Sequence, residues 1–228
     1  MDDRKKQLLK SIIEEYVREA APVGSKLLVS KYHLDYSPAT ARNEMMALED
    51  EGYIMHPHTS AGRVPTEKGY EFYTAHFIQE GTLTKTQEET MKHALSATSD
   101  APVKQVAKSV ADVTDEAVFV GFGASDFYYT GLSNLFRKPE FGDVNLVINM
   151  SETIDHLDTV VADLFLRLQG LEVLIGHNNP FGGECSVVVA PYTFRTTRGI
   201  LGILGPMRMD YSKNYRALTI SCELLEHV

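Results

Sequence analysis

Residues 37–70 read SPATARNEMMALEDEGYIMHPHTSAGRVPTEKGY, and this stretch decides the fold. Ser37 is a good N-cap, and Pro38 suits the first helical turn, where a missing N–H costs nothing. Ala41, Met45 and Leu48 then recur at helical spacing and predict one buried stripe. Thr40, Arg42, Asn43 and Met46 lie off that stripe and face outward. Arg and Asn are the side chains that pair bidentately with guanine and adenine edges in a major groove. Gly52 stops the helix. Tyr53–His56 reads as a short strand, residues 58–63 (HTSAGR) as a tip with a cation, and Val64–Thr66 as the return. Helix, hairpin and cationic tip together predict a winged helix-turn-helix.

Upstream, residues 3–20 form a first helix with Leu8, Leu9, Ile12, Ile13, Tyr16 and Val17 on one side. Arg4, Lys5, Lys6, Glu14 and Glu15 decorate the other. Ala21–Gly24 is a turn, and Ser25 caps a short second helix with Leu27, Leu28 and Val29 inside. Thr40, Arg42 and Asn43 are the expected base readers. Ser37 and Lys26 are the expected phosphate contacts, although Lys26 fits a solvated lysine nearly as well. His58, Thr59, Ser60 and Arg63 are expected to touch DNA backbone or minor groove from the wing. The bland alternative, that Arg42 and Asn43 are ordinary solvated helix residues, is weakened by the motif on both sides of them.

The net charge of −9 excludes a protein that coats nucleic acid indiscriminately. Residues 1–75 hold 10 basic and 12 acidic side chains, and the remainder holds 12 and 19. Binding must therefore depend on where the cations sit. Cys185 and Cys222 form no C-x-x-C pair, so neither a zinc ribbon nor a disulfide framework is expected. MDDRKKQLLKS lacks the layout of a signal peptide, and no apolar run approaches a membrane span. A soluble, cytoplasmic protein without a membrane contact is expected.

Further along, residues 67–80 predict a helix carrying Tyr70, Phe72, Tyr73 and Phe77, an aromatic stripe that reads as core or dimer contact. Residues 84–97 and 103–113 predict two more helices. The second half reads as α/β. Strand candidates are 117–122 (AVFVGF), 171–175 (LEVLI), 185–190 (CSVVVA) and 199–204 (GILGIL), with helices at about 151–169 and 211–227. Residues 143–150 (DVNLVINM) fit either state. The expected organisation is a winged helix over 1–80, a helical linker over 81–116 and an α/β domain over 117–228.

The chain resembles the HrcA family of heat-inducible transcription repressors. The resemblance rests on PVGSK (22–26), SPATARNEM (37–45) and GYIMHPHTSAGRVPT (52–66). It continues through GLSNL (131–135), PEF (139–141), IGHNNP (175–180) and GPMRMDY (205–211). It implies a GAF-like carboxy-terminal domain, a helical 143–150, and a homodimer on an inverted-repeat operator ahead of chaperone genes. It also implies thermal regulation with the chaperonin GroEL as a helper. Family members are usually much longer and carry an inserted dimerising segment before the GLSNL motif. Only residues 121–130 separate the first strand from Gly131 here, so that insert is expected to be missing and the GAF-like domain reduced. Ala41 stands where a larger aliphatic is common, and Glu71 where Arg is frequent.

Other chemistries are weaker. Cys185 with His177 could suggest a nucleophile, but the strand pattern makes Cys185 a small buried hydrophobe. Glu152, Asp155, His156, Asp158 and Asp163 wrap around a helix instead of sharing a face, so no metal site is expected. Gly121-Phe122-Gly123 lacks the rest of a phosphate loop. Arg195 and Arg198 fit an anion contact and an exposed hairpin tip equally well. No convergent catalytic set or cofactor motif is found, so an enzyme is not expected. The alternative function is a regulator whose GAF-like domain senses a small ligand.

Overall fold

The computed structural model describes residues 1–58, 61–96, 101–123 and 126–227, and the chain divides into two compact units, Met1–Ile78 and Gln79–Val228.

In the first unit, α1 (Asp3–Glu19) starts where the Asp2 side chain accepts from the Lys5 amide and ends with Ala20 in the left-handed conformation. Leu8, Leu9, Ile12 and Ile13 are fully buried, and each contributes about 1.5–3 kcal/mol over its exposed state. Glu15 departs from the expected solvated face, because it is only 1% exposed. Its carboxylate accepts from Lys31 Nζ at 2.9 Å, from Tyr32 Oη at 3.3 Å and from Arg18. Burial works to raise its pKa, but the hydrogen bonds and charges of Lys31 and Arg18 win and hold it low. This cluster ties α2 (Ser25–Lys31) to α1 through its last turn. Only Ser25 and Leu28 of α2 are buried. Leu27, expected inside, is 43% exposed.

The helix α3 (Pro38–Asp50) buries Ala41, Met45 and Leu48, as its periodicity predicts. Ser37 Oγ accepts from the Thr40 amide at 3.1 Å. Gly52 sits at φ +78° after the helix. The Gly52 amide donates to Glu49 O at 2.8 Å and the Tyr53 amide to Leu48 O at 2.9 Å, a Schellman ending that a left-handed glycine permits. The strands β1 (Ile54–Met55) and β2 (Val64–Pro65) then pair antiparallel. A further bridge joins Val23 to Arg63 by two amide hydrogen bonds, which ties the wing to the turn after α1. The helix α4 (Glu67–Phe77) leaves the wing, capped by Thr66. Tyr70, Tyr73 and Phe77 are buried within this unit. Helix, helix, helix and hairpin follow in the order of a winged helix-turn-helix.

The second unit holds one antiparallel sheet in the order β4-β3-β7-β6-β5. Its strands are β3 (Ala117–Gly121), β4 (Phe127–Thr130), β5 (Glu172–Ile175), β6 (Cys185–Phe194) and β7 (Thr197–Pro206). The register places Ala117 and Phe119, Val187 and Val189, and Ile200 and Leu204 on one face. There they meet α7 (Leu132–Phe136), α8 (Val144–Asp155) and α9 (Leu157–Arg167) through Leu135, Met150, Val161 and Leu164. A Cβ at Gly202 would enter the Phe119 ring, so the glycine makes room for that side chain. The opposite face is covered by α6 (Pro102–Thr114) and α10 (Tyr211–Glu226), with α5 (Lys85–Ser96) against α6. Helices on both faces of one antiparallel sheet make this unit a layered α/β domain.

Three details differ from the sequence reading. The span 81–116 does not stand apart as a linker, because α6 packs on β3 and α10 within the second unit. Residues 143–150 are helical, as the resemblance implies, but α8 stops at Asp155 and a new helix starts after His156. The strand β4 (Phe127–Thr130) lies outside the strand candidates of the sequence. It joins β3 directly through a hairpin closed by the Phe122 amide and Asp126 O at 2.8 Å. No inserted domain separates β3 from the GLSNL stretch, and β4 continues straight into it.

Candidate nucleic-acid interface

The helix α3 turns its polar side to solvent. Arg42 and Asn43 are exposed, and among the described residues neither makes a side-chain hydrogen bond or ion pair. Their amphipathic helix leaves them free, since Ala41, Met45 and Leu48 already supply the buried face. Beside them lies a concavity of about 360 Å³, walled by α3, by Gly24 and Ser25, and by the wing residues Gly62 and Arg63. Gly62 is required in this wall, because a Cβ there would collide with the Val23 carbonyl.

The other candidate residues are placed unevenly. Lys26 is exposed in the first turn of α2. Ser37 and Thr40 sit at the start of α3, but their hydroxyls lie 3.0 Å from one another and Ser37 also holds the cap. Their polar atoms are therefore already partly engaged. His58 is exposed, whereas Thr59 and Ser60 lie outside the described residues. Arg63 does not reach outward from the tip. Its guanidinium turns back to Glu49 Oε2 at 2.8 Å and donates to His56 Nε2. His56 Nδ1 lies 2.6 Å from Glu49 Oε1. Arg63, His56 and Glu49 thus form one side-chain cluster at the base of the wing. The sequence showed the cation but not its counter-charge, because Glu49 lies 14 residues away on α3.

In the second unit the quoted motifs act as ties. Asn134 Nδ2 lies 3.3 Å from both Ala111 O and Glu116 O. Glu140 and Arg208 form a bidentate pair at 2.5 and 3.2 Å. Asn179 Nδ2 lies within 3.0 Å of Gly176 O, Gly182 O and Cys185 O and shares its two protons among them, while its Oδ1 accepts from the Phe181 amide. Tyr211 Oη donates to Met207 O at 2.7 Å and accepts from Ser186 Oγ at 2.8 Å. Cys185 is 1% exposed, and burial with nearby Glu184 pushes its thiol up to about 12, which suits a packed hydrophobe and not a nucleophile. Arg198 donates to Leu168 O and lies over the Phe165 ring, so it is anchored to the fold. Among the described residues no three His, Cys, Asp or Glu side chains gather into a metal-binding group. No helix there is long and apolar enough to cross a membrane.

Comparison with known proteins agrees with this architecture. A family model described as the HrcA protein C-terminal domain matches residues 73–214. A heat-inducible transcription repressor of Acetivibrio thermocellus is 41% identical, with all of this chain and 96% of the relative covered. That alignment runs over 338 positions against 228 residues here, so the relative carries segments with no counterpart in this chain. A repressor of the same name from Bifidobacterium animalis subsp. lactis is 42% identical over 119 residues, which is 51% of this chain. The matched stretch spans only about a third of that relative, 32% of its length. A solved structure of a hypothetical protein superposes with a TM-score of 0.77 at 18% identity, covering 100% of this chain and 98% of that one, which supports the fold. A family model over most of the chain and a relative aligned along its whole length lead to one conclusion: the chain belongs to the HrcA family.

Proposed function

We propose that this chain is a transcription repressor that binds a two-fold symmetric operator as a homodimer and releases it on heating. The observation that carries this reading is the exposed, unpaired Arg42–Asn43 pair on α3, beside the wing of a family member whose curated relatives are named heat-inducible repressors. Arg42 and Asn43 read base edges in the major groove. Lys26 meets a phosphate, and Ser37 and Thr40 contribute less, since their hydroxyls already serve the cap. His58, Thr59 and Ser60 approach the DNA backbone from the wing. Arg63 joins them by exchanging Glu49 for a phosphate. A dimer places one α3 in each half-site. The chaperonin GroEL is the proposed helper that keeps the repressor active, and the cytoplasm is its proposed location.

The test is a titration of the purified chain on inverted-repeat DNA against scrambled DNA, at fixed salt and two temperatures. Specific binding that is lost on mild heating is expected. Specific binding that heat leaves unchanged removes the thermal part of the proposal. Equal affinity for both duplexes removes sequence-specific repression.

A further inference from the structure

Met46 is the most exposed large hydrophobic side chain described in the first unit, at 51%. It sits one helical turn after Arg42 on α3, and both line the same concavity beside the wing. The fold does not use it, because Ala41, Met45 and Leu48 supply the buried stripe of α3. Methionine favours helices, but lysine or glutamine would serve a purely solvated position equally well. What Met46 offers is a flexible, polarizable apolar side chain on the surface assigned to base reading. The thymine 5-methyl is the apolar feature that distinguishes bases at the floor of the major groove.

We infer that Met46 is a specificity residue that packs on a thymine 5-methyl group, one helical turn beyond the base pairs read by Arg42 and Asn43. The inference rests on the DNA-binding reading of α3 given above. Arg42 and Asn43 then supply hydrogen-bond readout, and Met46 supplies apolar readout that no hydrogen-bonding residue replaces.

The test uses the full chain and a duplex that it selects from a random-sequence library. Each thymine of the half-site is replaced in turn by deoxyuridine, which lacks only the methyl group. At one position per half-site the replacement is expected to weaken binding about fourfold, the value of one buried methyl. Met46→Ala should erase that sensitivity while the melting temperature stays that of the parent, and Met46→Leu should restore it. Deoxyuridine effects that persist undiminished in Met46→Ala, or their absence at every thymine in the parent, would overturn the inference. Failure to select any sequence would instead overturn DNA recognition by α3, and this inference with it.

Discussion

Glu116 gives the second unit a stability that falls as pH rises. It stands between the left-handed Asp115 that ends α6 and the first residue of β3, and it is 3% exposed. Its Oε1 is 3.3 Å from Lys138 Nζ, while Oε2 has no hydrogen-bond partner among the described residues. Burial pushes its carboxyl up to about 7; Lys138 and Arg208 oppose the shift and Asp115 adds to it. In the unfolded chain the same group titrates near the ordinary 4.5. Below that value it is protonated in both states. Between about 4.5 and 7 the folded state keeps the proton that the unfolded state has lost, so stability declines with pH until the folded group also ionises. At about 1.4 kcal/mol per pKa unit, the full span is worth about 3 kcal/mol. For a unit of this size that is roughly 10 °C in Tm. Scanning calorimetry of the full chain between about pH 5 and pH 8, with the parent and Glu116→Gln compared, isolates the effect. The glutamine keeps the shape and cannot ionise, so its Tm should gain on the parent as pH rises. Parallel curves for parent and variant would refute the reasoning and mean that Lys138 compensates the charge fully.

Four further outcomes are expected. Arg42→Ala should weaken operator binding by about 1–3 kcal/mol and blur preference at one position, and equal weakening on all sequences by titration would leave it a phosphate contact only. Glu15→Gln should destabilise the first unit by about 2 kcal/mol in urea unfolding, because Lys31 and Arg18 lose their buried counter-charge and keep only the exposed Glu19. A loss below the detection limit would show the cluster to be dispensable. Gly69→Ala should lower Tm despite the roughly 1 kcal/mol that alanine normally gains in a helix, since its Cβ would strike the Tyr53 carbonyl. A raised Tm would mean that the wing yields easily. Asn179→Ala should cost about 3 kcal/mol by denaturant midpoint, because the buried Phe181 amide and Cys185 O lose the side chain they bond to, while Gly176 O and Gly182 O keep only their backbone donors. A cost under about 1 kcal/mol would mean that water replaces the side chain.

The reading of α3 from sequence succeeded because its information is local. Stripe, cap and glycine stop all lie within a few residues of one another, and the backbone obeys them directly. The strand β4 escaped because Phe127-Tyr128-Tyr129-Thr130 shows no apolar–polar alternation, and it is only partly buried at the sheet edge. The break at His156 escaped because the apolar spacing continues across it from α8 into α9. Among the candidate residues, Arg42 and Asn43 were legible as outward positions on α3. The inward turn of Arg63 was not, since it depends on Glu49 from α3 and on His56 after β1.

By itself the sequence determined the helices of the first unit, the cap at Ser37, the stop at Gly52, the family, and the outward stripe that includes Arg42, Asn43 and Met46. Only the tertiary structure decided that Glu15 is buried, that Arg63 is neutralised, that Gly69 must lack a side chain and that Glu116 holds its proton near neutrality. The physical reason is range. Helical periodicity and capping arise between residues three or four apart, where the chain itself fixes their geometry. Burial, charge pairing and steric exclusion depend on groups that distant segments bring together, and sequence spacing does not specify which groups those are.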